Sequence, residues 1–232
     1  MSGQLPLALR WPAHQRFETF NAGSNEAALG QLSAVVRAVE SPWLYLAGPS
    51  GSGRTHLLIA ACAAANDNGH SAQYLPLSTL RAPRADAIRG FGGSDLLAID
   101  DVDSIVGDAG AEHALFDLYN RCRAERATLL FAARAAPAQL GLGLPDLVSR
   151  LSACTQIALK PLDEVERRKL LYERGLARGI ELDDNALDWL FTRRKRDLNS
   201  LFDLLDRIDT ASLAAQRRVT IPFLRGLLGD AK

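Results

Sequence analysis

Five short apolar runs punctuate the first part of the chain: WLYLA (43–47), AQYLPL (72–77), LLAID (96–100), TLLFAA (128–133) and CTQIAL (154–159). Each is long enough for a buried strand and too short for a helix, while intervening stretches such as LLIAACAAA (57–65) have the Ala/Leu composition of helices. Alternation of this kind predicts an α/β fold, a parallel sheet with covering helices. Lys160 and Pro161 close the last run, and the pattern then changes. From Leu162 onward only helical periods follow: 163–179, 183–194, 197–216 and, after a VTIP link, FLRGLL at 223–228. Asp163, Asp183 and Asp197 are placed to act as N-caps, and Gly179 as a helix stop. The expected organisation is an N-terminal tail (1–12), an α/β domain (13–160) and a small all-helical domain (161–232).

The stretch between the first run and the first helix carries the chemistry. It reads GPSGSGRTHLL (48–58), a glycine-rich strand-to-helix turn. Gly48, Gly51 and Gly53 permit backbone angles that a side chain would oppose, so successive N–H groups can converge on a phosphate at the positive end of a helix dipole. Ser52, Arg54 and His56 are further candidate nucleotide contacts, and Thr55 is placed to ligate Mg²⁺. Arg54 stands where such phosphate loops carry lysine. It keeps the charge but replaces a compact ammonium by a planar fork, which favours diphosphate binding with impaired chemistry at a γ-phosphate. About fifty residues on, the apolar strand in SDLLAIDDVDSI (94–105) ends in Asp100 and Asp101. There one carboxylate can hold Mg²⁺, Asp100 being the candidate ligand with Thr55, while its neighbour orients a water.

Composition narrows the surroundings. The 232 residues are 47% hydrophobic, enough for a sizeable core, and Lys+Arg balance Asp+Glu at 27 each. With the charges interspersed, no broad basic footprint for nucleic acid is visible, and direct sequence-specific DNA binding is not expected. The basic run RRKR (193–196) reads as a solvated helix junction. Cys62, Cys122 and Cys154 are widely spaced without a CxxC pair, which suits small apolar positions in a reducing compartment. The four histidines, at 14, 56, 70 and 113, lack metal-ligand spacing. No apolar run approaches the roughly 18 residues that span a bilayer, so a soluble cytoplasmic protein without membrane contact is expected.

Several segments together carry a family resemblance. GPSGSGRTHLL, LLAIDD, LFDLYNR (115–121), GLPDLVSRL (143–151) and a helical lid ending in AQRRVTIPF resemble the DnaA-related AAA+ family, with the N-terminal QLPLAL matching its short Hda branch. The resemblance implies an AAA+ module: a five-stranded parallel P-loop domain with a helical lid. It implies ADP as the nucleotide, with ATP the other candidate, and Phe20 and Asn21 in FNAGSN (20–25) as adenine contacts. Members of the Hda branch dock on the β subunit sliding clamp through a QLxLxL tail, matched here by Gln4, Leu5, Leu7 and Leu9; Pro6 keeps such a peptide extended. They also supply an arginine finger in trans to DnaA, and Arg150 occupies that position. The competing structural role for Arg150 is an i, i+4 ion pair with Asp146.

Departures from the family pattern matter as well. Where a polar or acidic sensor follows the fourth strand, FAARAAP (131–137) offers Ala132, Ala133 and Arg134, and the lid's sensor arginine aligns with Asn199, one turn from Arg196. With Arg54, these changes point to weak or absent intrinsic ATPase activity. The initiator's DNA-binding helix-turn-helix domain is not expected, since the sequence stops at Lys232. The expected function is a regulatory inactivator of DnaA, ADP-bound and clamp-tethered, that promotes hydrolysis of DnaA-bound ATP and so prevents over-initiation of replication. The alternative is an active AAA+ ATPase such as a helicase loader or remodelling factor. Self-association into a homo-oligomer is compatible with both.

Overall fold

The structure, a computed structural model, describes residues 11–12, 14–37, 42–193, 198–215 and 220–228, with the backbone alone at 193, 198–199, 212–215 and 228. The chain divides into two compact units, 1–161 and 162–232. In the first, helix α1 (Glu26–Arg37) precedes β1 (Leu44–Ala47), α2 (Arg54–Asp67), β2 (Ala72–Pro76), α3 (Arg84–Arg89) and β3 (Leu96–Asp100). Then come α4 (Ala109–Ala124), β4 (Thr128–Ala133), α5 (Pro137–Leu140), α6 (Pro145–Ser152) and β5 (Thr155–Ala158). The five strands form one parallel sheet in the order β2-β3-β4-β1-β5. The sequence-based α/β class is therefore observed, and each strand lies inside its apolar run.

Both faces of the sheet are covered at β1, β3 and β4, which explains why those runs are apolar throughout rather than alternating, whereas the edge strand β5 leaves Thr155, Gln156 and Ala158 exposed. Tyr45, Leu97, Ile99, Leu129, Phe131 and Ala133 point into one core with α4 and α6. Leu44, Leu46, Leu96, Ala98, Leu130 and Ala132 point into the other, with α1 and α2. Adjacent residues thus serve opposite cores, and full burial of each large side chain contributes roughly 1.5–3 kcal/mol. Helix α2 is buried continuously from Leu57 to Ala63. Its alanines are the consequence: a helix enclosed on nearly every side has no room for longer side chains. Cys62, Cys122 and Cys154 are free and buried. Burial pushes the Cys62 thiol up to about 12 and those of Cys122 and Cys154 to about 11, so all three behave as small apolar groups.

The second unit is helical, as its periodicity predicts: α7 (Glu164–Leu176), α8 (Asp184–Arg193), α9 (Leu198–Ala215) and α10 (Ile221–Leu228). Asp163 begins α7 with a reciprocal capping box, accepting from Glu166 N while Glu166 accepts from Asp163 N, both at 2.8 Å. Asp183 accepts from Ala186 N at 2.7 Å at the start of α8. Gly179 has φ +73°, the left-handed turn that ends a helix. Asp197 lies outside the described residues. Leu171, Leu182, Leu190, Phe191, Leu201, Leu205 and Leu224 build the core of this unit.

One buried side chain ties the lead-in segment of the first unit to the end of its sheet. Asn25, 4% exposed, donates through Nδ2 to Lys160 O at 2.8 Å and accepts from Lys160 N at 2.9 Å. Asn25→Ala would leave both backbone groups unpaired, and denaturant unfolding should show a loss of about 1–3 kcal/mol.

Candidate functional site

The glycine-rich loop leaves the carboxyl end of β1 and enters α2. Gly53, at φ +90°, occupies the N-cap position of that helix without a side-chain cap, and a Cβ there would meet Phe20 Cε2 at 2.5 Å. Glycine is therefore required twice over, by backbone angle and by the ring that packs on it. Gly48 is constrained differently from the backbone-angle expectation. It is not among the positive-φ glycines, but a Cβ on it would lie 2.9 Å from Leu159 O, so close approach to the chain after β5 is what demands glycine. Phe20 also meets His56, ring centroids 5.2 Å apart, and His56 Nε2 bonds to Arg16 O at 2.8 Å. Asn21 follows, half-buried. The lead-in segment is thereby seated on the first turn of α2.

Asp100, at the end of β3, is 1% exposed. It accepts three hydrogen bonds: from Thr55 Oγ1 at 2.6 Å, from Tyr74 OH at 2.9 Å and from Asp101 N at 2.9 Å. Burial nevertheless dominates and raises its pKa, with the Asp101 charge adding to the rise and the bonds from Thr55 and Tyr74 opposing it. Burial, followed by the neighbouring Asp100 charge, raises the Tyr74 phenol. The Thr55 hydroxyl and Asp100 carboxylate fit a hard divalent cation, which takes oxygen ligands and commonly keeps waters and substrate phosphates in its remaining positions.

Arg54 is held away from a purely phosphate-facing role. Its guanidinium lies 3.7 Å from Asp101 Oδ1 and 3.7 Å from Asp103 Oδ1. Asp103 in turn accepts from Arg134 N at 3.0 Å, and Arg134 Nε lies 3.7 Å from Asp103 Oδ2. Asp101 adopts left-handed backbone at φ 55° and accepts from Ser78 Oγ at 2.6 Å. The Arg54 Nη1 and Ser52 Oγ atoms are buried without a hydrogen-bond partner among the described residues. Orphaned donors beside an uncapped helix N-terminus suit an anionic ligand.

Arg150 sits elsewhere. It precedes β5, at the amino end of the sheet, whereas the loop follows the carboxyl end of β1. The two ends are a four-residue strand apart, about 13 Å at about 3.3 Å per residue. Leu147 and Leu151 anchor α6, and the buried Glu112 carboxylate accepts from Leu144 N at 2.8 Å, supplying the cap that Leu144 itself does not. The Arg150–Asp146 ion pair does not form among the described residues; the guanidinium lies 5.9 Å from the Tyr119 ring centroid.

The structure thus gathers Phe20, the 48–56 loop, Asp100 and Asp101 at one end, with Asn21 next to Phe20 in the chain, and puts Arg150 at the other. Gln4, Leu5, Leu7, Leu9 and Arg196 lie outside the described residues, as does the side chain of Asn199, whose backbone is in α9. Asp103, Tyr74, Ser78 and Glu112 are absent from the sequence-based site. The acidic spacing 101/103 and a lone glutamate among the apolar positions of α4 are the signals that point to Asp103 and Glu112.

A model of the bacterial DnaA ATPase domain matches residues 12–158, more than half of the chain. The chain belongs to the bacterial DnaA ATPase domain family. A model of the Hda lid domain matches residues 163–228, so the resemblance to DnaA-related AAA+ proteins of Hda type holds across both units. Among solved structures, domain III of Thermotoga maritima DnaA is similar with TM-score 0.78 at 20% identity, over 96% of this chain and 98% of that one. AMPPCP-bound DnaA from Aquifex aeolicus gives TM-score 0.67 at 21% identity, over 88% and 68%. The Thermotoga maritima RuvB Holliday junction branch migration motor gives 0.61 at 16%, over 88% and 68%. At these identities the solved structures establish the shared AAA+ fold. No helix among the described residues is long and apolar enough to cross a membrane.

The raised Asp100 carboxyl carries a pH signature. A pKa raised on folding favours the folded state most below the unfolded value, ordinarily 3.8, and this contribution is lost as pH rises through the folded value. Wild type should therefore lose stability relative to Asp100→Asn as pH rises from about 4 toward neutrality. Urea unfolding of both proteins across that range reads the difference; a gain of wild-type stability relative to Asp100→Asn as pH rises would mean that the three hydrogen bonds outweigh burial.

Proposed function

We propose that this member of the DnaA ATPase family is a regulatory inactivator of DnaA. It holds ADP in its own loop, is tethered to the DNA-loaded sliding clamp through Gln4, Leu5, Leu7 and Leu9, and inserts Arg150 into the ATP site of a neighbouring DnaA subunit. The catalysed reaction belongs to DnaA, which is left ADP-bound, and over-initiation of replication is prevented. The observation that carries this reading is the placement of Arg150: half-buried, without a carboxylate partner among the described residues, and at the end of the sheet opposite its own nucleotide loop. A guanidinium so placed serves a phosphate in another molecule, where its delocalised charge stabilises the oxygens of the transition state.

The local loop supports the division of labour. The phosphate nest at Gly48–Thr55 and the Thr55–Asp100 pair, with Mg²⁺ as their cation, suit a diphosphate. Arg54, already paired with Asp101 and Asp103, would have to leave two carboxylates to serve a γ-phosphate. Adenine nucleotide is the ligand class, in keeping with the AMPPCP complex of the Aquifex aeolicus relative. The rival reading, a self-sufficient AAA+ ATPase, draws on the intact Thr55–Asp100–Asp101 set; phosphate release at several turnovers per second from the isolated chain would favour it.

Turnover of DnaA-bound ATP, measured with this protein, loaded clamp and DNA added singly and together, tests the proposal. Arg150→Ala should leave folding, ADP binding and clamp binding near wild type while removing a stimulation of about 10³- to 10⁵-fold. Arg150→Lys should not rescue it, because an ammonium lacks the planar fork. Normal stimulation by Arg150→Ala would overturn the finger.

A further inference from the structure

Arg150 does not stand alone. The residues that open β4 and β5, with Trp43 just before β1, border a cavity of about 620 Å³ whose lining contains no carboxylate. Its wall is aromatic and fixed: Trp43 and Tyr119 meet edge to face with centroids 4.5 Å apart, and Trp43 Nε1 donates to Ala127 O at 3.0 Å. Three guanidinium groups share this lining, from Arg123 in the last turn of α4, Arg126 just beyond it, and Arg150 beside Tyr119. None of the three makes an ion pair among the described residues.

The dipole of α4 attracts cations to its carboxyl end, but it does not account for this cluster. Arg121 in the same turn is spent on the carbonyls of Arg89 and Phe91, whereas Arg123 and Arg126 face the cavity. Arg126, moreover, has φ 57°, the left-handed position after a helix that glycine or asparagine occupies without strain. A long cation there carries backbone strain of the kind that clusters at ligand-binding sites.

We infer that Arg123, Arg126 and Arg150 form one polyphosphate-binding site over the Trp43–Tyr119 wall, and that its ligand is the phosphate chain of a nucleotide presented by a neighbouring DnaA-type subunit. This deepens the function proposed above and rests on its reading of Arg150. Three planar forks match a compact anion of several charges by bidentate contacts. The ring of Tyr119 steadies Arg150 through its face, leaving the fork free. A carboxylate-free cavity on a chain of zero formal net charge suits such an anion better than an extended nucleic-acid backbone.

Calorimetric titration of inorganic tripolyphosphate into the full chain, saturated with ADP to fill its own loop, tests the site. One binding event is expected, weakened about 10- to 100-fold in each of Arg123→Gln, Arg126→Gly and Arg150→Gln, and diminished by salt. Thermal melting should show Arg126→Gly to be at least as stable as wild type, which separates lost binding from lost folding. In the DnaA assay, Arg123→Gln and Arg126→Gly should raise the half-saturating concentration of this protein, whereas Arg150→Ala removes the maximal rate. Tripolyphosphate binding that is absent, or indifferent to the three substitutions, overturns the site even if Arg150→Ala abolishes stimulation, since the finger then acts alone. A polyglutamate peptide that binds more tightly than tripolyphosphate overturns the ligand class. Binding that needs all three arginines, with DnaA hydrolysis independent of Arg150, overturns the assignment to a partner's nucleotide together with the proposed function.

Discussion

Two-sided burial of the parallel sheet is the constraint on which the rest of the first unit depends. With helices on both faces, the central strands β1 and β4 have no solvent-facing side, so polar chemistry is confined to strand ends and the turns beyond them. The carboxyl ends carry the glycine loop, Asp100 and Asp101; the amino ends carry Arg123, Arg126 and Arg150 beyond Trp43 and Tyr119. A single layer of buried strands thus separates two polar clusters, one of backbone N–H groups and carboxylates with Arg54, the other of guanidinium groups without a carboxylate partner among the described residues.

Within the first site, Asp100 joins three segments that are distant in sequence. Its carboxylate receives Thr55 from α2, Tyr74 from β2 and the backbone of Asp101. Desolvation works against the charge while the hydrogen bonds work for it, and a divalent cation beside Thr55 would tip that balance toward the ionised form. Asp101 and Asp103, one turn further on, take up the charge of Arg54. The arginine that replaces the usual lysine is therefore part of a local ion network, and its chemistry is set by its neighbours as much as by its own fork.

Much of this was legible along the chain. Apolar runs bounded by turn residues marked all five strands; for β1, β3 and β4 the reason is that a strand buried on both faces admits few polar side chains. The capping aspartates Asp163 and Asp183 are short-range signals and act where the pattern put them. The AAA+ class and the DnaA relationship came from resemblance, carried most specifically by GLPDLVSRL and the lid's AQRRVTIPF, since the glycine-rich loop with its acidic strand fits many nucleotide-binding proteins.

Other features are products of tertiary contact and have no local signature. The demand for glycine at position 48 comes from Leu159, over a hundred residues away, and that at 53 partly from the Phe20 ring. Asn25 looks like an ordinary polar residue until the fold buries it against the backbone of Lys160. Asp146 is correctly spaced to pair with Arg150 on one helix, yet the guanidinium lies 5.9 Å from the Tyr119 ring centroid, where the negative π face attracts a cation, and an exposed ion pair would contribute little. Sequence alone determined the strands, the helical second unit and the glycine-rich loop, since these depend on periodicity and backbone freedom over a few residues. Which charges meet, and at which end of the sheet, only the tertiary structure decided, because strand order brings together side chains that the chain itself keeps far apart.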